Sequence, residues 1–140
     1  MNLIQRKDFW KNKIIKIQKN GGNIINISSD LGVIAPDQRI YKKTGYKKPV
    51  TYSVTKHGII GLTKYTATYW PKKIRCNSIS LGGMENGQSK SFLNEVKKLI
   101  PLGRLAKKNE FNSLILFLAS NASSYITGSN IIIDGGRTSW

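Results

Sequence analysis

Tyr52 and Lys56 stand four residues apart in the stretch Thr51-Tyr52-Ser53-Val54-Thr55-Lys56. On a helix that spacing places both side chains on one face, one turn apart and within reach of a common ligand. A phenol has a reference pKa of about 10 and holds its proton near neutrality. A neighbouring ammonium favours the phenolate, which makes a tyrosine usable as an acid and a base. The same spacing arises by chance on many helices, so the pair needs support from the elements around it.

Those elements can be read in chain order. Residues 3 to 19 carry Ile4, Phe9, Trp10, Ile14, Ile15 and Ile17 among lysines, an amphipathic helix stopped by Asn20-Gly21-Gly22. Asn23 to Ser28 is a β-branched strand whose nearly continuous apolar character suits a sheet covered on both faces. Leu31 to Val50, with two prolines, reads as a loop of unusual length, which favours a functional role. The Tyr52 helix follows, its apolar face continued by Ile59, Ile60, Leu62, Tyr65, Thr66 and Tyr69 until Pro71 breaks it. Ile74 to Ser80 is a second strand and Ser129 to Ile133 a third. Between them lie helices at 89–100 and 109–119, the latter burying Phe111, Leu114, Ile115, Phe117 and Leu118. Strands alternating with helices predict an α/β fold with a parallel sheet, in one domain over residues 1–140.

Composition narrows the classes. One cysteine, Cys76, excludes an internal disulfide and a cysteine-rich metal site, and its apolar run predicts a buried thiol. His57 is the single histidine and reads as a packing or surface residue, so no metal site is expected. The first residues carry charges of both signs and no apolar segment, so neither a signal peptide nor a membrane span is expected and the cytoplasm is the default. The net charge of +16 raises a basic module that binds nucleic acid or anionic lipid. Lysine pairs scattered over every segment, with few arginines to read bases, argue instead for a solvated surface and for partners other than nucleic acid or membrane.

In open parallel sheets ligands bind beyond the carboxyl ends of the strands. Ser29 stands at the end of the first strand, and Gly82-Gly83-Met84 at the end of the second, with Tyr52 and Lys56 on the helix between. One crevice can then collect a hydroxyl, a phenol, an ammonium and backbone amides. That set suits carbonyl reduction: Ser29 and Tyr52 hold the oxygen, Tyr52 protonates it, and a cofactor delivers hydride.

At these residues the chain resembles the second half of the short-chain dehydrogenase/reductases. The resemblance rests on Gly22 to Ser29, Tyr52 to Lys56, Arg75 to Ser80, and Thr127-Gly128 through Asp134-Gly135-Gly136, in family order over residues 21 to 140. The segments Ala35 to Tyr41, Ala67 to Trp70 and Gly135 to Trp140 resemble a branch found with bacterial surface-sugar and flagellin-modification genes. The resemblance implies a partial Rossmann-like, doubly wound parallel sheet of three strands. It implies Tyr52 as catalytic acid and base, and Ser29 as the residue that polarises the carbonyl of a small-molecule substrate. Lys56 would bind the nicotinamide ribose and tune the tyrosine, with Gly82, Gly83 and Met84 lining the nicotinamide pocket of NAD or NADP. Asn2, 27 residues before Ser29, matches the place of a further catalytic asparagine, although Gln5 to Trp10 is atypical. The family's dimer contact implies a homo-oligomer through the helices at 3–19 and 52–70.

Three departures qualify that reading. Leu81 replaces a usual proline, and the 23 residues from Ser29 to Tyr52 exceed the usual spacing, so the extra loop is expected to shape the substrate side. The chain also carries no glycine-rich turn that opens a helix onto a pyrophosphate. An amino-terminal half is therefore expected to be missing, with Trp140 as a natural end. The rival to a working enzyme is a truncated, inactive remnant whose site geometry survives.

Overall fold

A computed structural model describes residues 21–45 and 47–140. The helix expected at 3–19 and the candidate Asn2 lie outside the described residues.

Three strands form one parallel sheet in the order β1 (Gly22–Ser29), β2 (Ile74–Leu81), β3 (Asn130–Ile133). Gly22 pairs with Ile74 and Ser29 with Leu81, so β1 and β2 run in register to the same rim. Leu81 in turn pairs with Ile133, so the residue that replaces the family proline continues the strand. The α/β expectation holds.

The long helix α1 (Val50–Tyr69) crosses from β1 to β2. Alternate strand residues face opposite sides of a sheet. Asn26 Nδ2 donates to Thr63 Oγ1 of α1 at 2.9 Å, and Ser28 Oγ donates to the Lys56 carbonyl at 2.8 Å, so the even residues of β1 face α1. Asn23 faces the other way and donates to the Leu118 carbonyl of α3 (Asn112–Ala119). Arg75, its register partner, reaches the same carbonyl at 3.1 Å. The sheet is thus covered on both faces, by α1 on one and α3 on the other.

The sheet-facing side of α1 differs from the apolar stripe expected. Thr66 is buried as expected, but beside it lie Thr63 and Ala67, whereas Leu62, Tyr65 and Tyr69 are exposed. Threonine hydroxyls can be buried there because each bonds a carbonyl one turn back, Thr63 to Ile59 and Thr66 to Leu62, both at 2.8 Å. In α3, Phe111 just before the helix and Leu118 within it are buried, but Ile115 and Phe117 are more than one third exposed.

The stretch between β1 and α1 is also more ordered than an open loop. It holds two 3-10 turns, Asp30–Gly32 and Gln38–Thr44. Ile40 of the second is buried in an apolar cluster with Val96, Ile100 and Leu105. Val96 belongs to α2 (Lys90–Lys97), which Ser89 caps by accepting from the Phe92 amide. Burying one isoleucine anchors the whole insertion beside the carboxyl rim.

Candidate active site

Residue 56 is fixed to the rim of β1 from two directions. Its carbonyl accepts from Ser28 Oγ, and its ammonium donates to the Ile27 carbonyl at 3.1 Å. Gly32 makes this approach possible, because a Cβ there would lie 2.7 Å from the Lys56 carbonyl oxygen. The Lys56 ammonium sits 5.8 Å from the centre of the Tyr52 ring. The structure therefore brings together the pair that the sequence spacing put on one face. Tyr52 itself is half-buried.

Ser29 ends β1 beside them and is buried. Its hydroxyl donates to Asp30 Oδ1 at 2.8 Å and accepts from the Leu31 amide at 3.2 Å, capping the 3-10 turn. It makes no hydrogen bond to Tyr52.

Asp30 is itself buried and receives Arg137 Nη1 at 2.9 Å, from a segment 107 residues away. A buried carboxylate needs such a partner to offset its desolvation. Sequence reasoning missed both residues as parts of this site. The one signal was position, since Asp30 follows the candidate serine and Arg137 follows Gly135-Gly136.

A second lysine was missed as well. Lys48 Nζ lies 4.0 Å from the centre of the Tyr52 ring, closer than Lys56. Its backbone is held by one side chain: the Gln38 carboxamide accepts from the Lys48 amide at 3.0 Å and donates to the Lys48 carbonyl at 3.1 Å. Asp37 caps the turn that Gln38 begins, accepting from the Arg39 amide and pairing with its guanidinium at 2.8 Å. The Arg39 hydrogen bonds hold the Asp37 carboxyl at a pKa of about 2.

The Gly82-Gly83-Met84 turn lies beyond β2. A Cβ on Gly82 would fall 2.6 Å from Asp134 Cα, so glycine is required for β2 and the end of β3 to pass this closely. The Gly82 amide donates to the Ile133 carbonyl at 2.9 Å, and the Gly83 carbonyl accepts from the Ala106 amide at 2.9 Å. Met84 bridges to Ala106. Gly82 and Gly83 line a cleft of about 320 Å³ with Arg104, Phe111, Asp134 and Gly135, and Tyr52 and Lys56 do not line it.

Other residues are structural. Cys76 is buried and its thiol pKa is pushed up by burial. His57 is exposed, with Nδ1 3.0 Å from the Ser53 carbonyl. Asp134 caps the last turn, accepting from the Gly136 and Thr138 amides.

The family described as enoyl-(acyl carrier protein) reductase matches residues 10–138. The chain belongs to the short-chain dehydrogenase/reductase family. It is 41% identical over 119 residues to trans-4-hydroxycyclohexanecarboxylate dehydrogenase of Sinomonas cyclohexanicum, covering 84% of this chain and 42% of that one. It is 33% identical over 116 residues to post-translational flagellin modification protein A of Campylobacter coli, covering 82% of this chain and 45% of that one. A short-chain dehydrogenase of Leptospira borgpetersenii, solved with bound NAD+, superposes with a TM-score of 0.79 at 41% identity, over 94% of this chain and 48% of that one. The chain thus spans less than half the length of the curated relatives it matches. Among the described residues, no helix is long and apolar enough to cross a membrane.

Proposed function

We propose that this chain supplies the acid–base half of an NAD- or NADP-dependent oxidoreductase that interconverts a carbonyl and an alcohol on a small molecule. The observation that carries the reading is the Lys56 ammonium fixed on β1 and held beside the ring of Tyr52. In the reductive direction Tyr52 gives its hydroxyl proton to the substrate oxygen, and in the oxidative direction it takes that proton back. Ser29 steadies the same oxygen, for which its hydroxyl must exchange Asp30 for the substrate. Lys56 sets its positive charge beside the ring of Tyr52.

The residues present fit one end of a nicotinamide cofactor. Lys56 would hold the ribose, and Gly82 to Met84 would line the nicotinamide; the bound group supplies the hydride. Among the described residues, none form a set that fits its pyrophosphate, because Gly82-Gly83 is separated from α2 by residues 84 to 89 and no described strand runs through a glycine-rich turn directly into a helix. This favours a second reading for the isolated chain, an incomplete and inactive remnant. The test is calorimetric titration of the 140-residue chain with NAD+ and NADP+. Binding weaker than about 1 mM is expected, because the pyrophosphate cradle is missing. Micromolar binding together with turnover lost in Tyr52→Phe would establish a complete enzyme.

Self-association belongs to the same proposal. Val54, Leu62, Tyr65 and Tyr69 leave an exposed apolar stripe along α1. A dimer or larger species is expected in light scattering, and a monodisperse monomer would count against it.

A further inference from the structure

We infer that Lys48 is a specificity residue that selects substrates bearing a carboxylate or phosphate close to the reacting carbon–oxygen group. The inference rests on the oxidoreductase reading of Tyr52 and names the substrate class for it. Lys48 is placed by the fold and not by chance contact. Its amide and carbonyl are both gripped by Gln38, Gln38 begins the 3-10 turn capped by Asp37, and that turn is anchored in the core through Ile40. These contacts aim the Lys48 ammonium at the face of Tyr52, 4.0 Å from the ring centre.

The two ammoniums beside this tyrosine have different duties. Lys56 donates to the Ile27 carbonyl and so is tied to the scaffold. Among the described residues, the Lys48 ammonium meets only the ring. Among the described residues, the ion pairs engage Asp30, Asp37, Glu95 and Glu110, and none of these reaches Lys48. Attraction to an aromatic face at a solvent-accessible position is weaker than a charge-assisted hydrogen bond to an anion. An anionic group entering beside Tyr52 would therefore take Lys48 from the ring. A neutral alcohol offers no such exchange. The cofactor's own phosphates are the other source of negative charge, and the experiment must separate the two.

The test titrates the 15N-labelled chain with 3-hydroxybutyrate, with its neutral counterpart 2-butanol, and with NAD+, following the amide resonances of Gln38, Lys48 and Tyr52. The carboxylate is expected to move these three resonances and to bind Lys48→Gln about tenfold more weakly than the parent. Lys48→Arg, which keeps the charge, should bind it within about threefold of the parent. The neutral alcohol should treat parent and variants alike. Unmoved resonances in β2 and β3 establish that each variant is folded. Equal carboxylate binding by the parent and Lys48→Gln, or no movement at these residues, overturns the inference. A loss confined to NAD+ also overturns it, because the anion recognised would then be the cofactor's. None of these readouts needs turnover. A failed reductase assay would therefore count against the oxidoreductase reading and leave the anion result standing.

Discussion

The two halves of the carboxyl rim are built by different means. Around β1 and the start of α1, side chains grip backbone: Ser28 donates to the Lys56 carbonyl, Lys56 donates to the Ile27 carbonyl, and Gln38 holds Lys48. Around the ends of β2 and β3, backbone approaches backbone at glycines, with Gly82 against Asp134 and the Gly135 carbonyl accepting from the Leu102 amide at 3.1 Å. Polar grips fix the direction of a side chain, which suits the half that carries Tyr52 and two lysines. Close backbone packing fixes the shape of a wall, which suits the half that forms a cleft. The buried pair between Asp30 and Arg137 joins the halves.

That pair offers the hardest test. Arg137→Met would leave Asp30 buried with no cation, and a loss of about 3–5 kcal/mol is expected in urea unfolding. Asp30→Asn in the same background should recover much of it, since the unpaired charge is then gone. A loss below about 1 kcal/mol would mean that the halves are independent.

Gly82→Ala tests the second half alone. Its new Cβ would meet Asp134 Cα at 2.6 Å, and backbone cannot yield as a flexible side chain would. A loss of about 1–3 kcal/mol is expected. Ser28→Ala tests the first half, removing the hydroxyl that donates to the Lys56 carbonyl, and about 1 kcal/mol is expected. If Ser28→Ala proved costlier than Gly82→Ala, the polar grips would be the firmer construction.

The smallest effect is electrostatic and sharpens the contrast at the surface. The Glu110 carboxyl is held at about 2 by hydrogen bonds from Arg104 and the Lys107 amide. A carboxylate whose pKa is lowered on folding contributes stability that is present above its unfolded value, 4.5, and lost as pH falls toward 2. Acid unfolding should show a shallow loss over that window, flattened in Arg104→Ala. The pair is exposed, so the change is expected to be small.

The strands and α1 were legible because β-branched runs and the Pro71 break are local signals. The 3-10 turns between β1 and α1 were not, because what orders them is the burial of Ile40 on residues more than fifty positions later. The buried side of α1, apart from Thr66, was misread for a related reason. Leu62 and Tyr65 outrank threonine on any apolar scale, yet Thr63 and Thr66 satisfy their hydroxyls within the helix and so can face the sheet.

The amino-acid sequence alone determined the order of strands and helices, the Tyr52 and Lys56 spacing, and the family, since each depends on residues close in the chain or on motifs in series. Only the tertiary structure decided that Ser29 rests on Asp30, that Arg137 neutralises that carboxylate, and that Lys48 joins Lys56 beside the tyrosine. Those contacts span between one residue and 107, and long-range pairing of charges is set by which surfaces pack together, which no local pattern encodes.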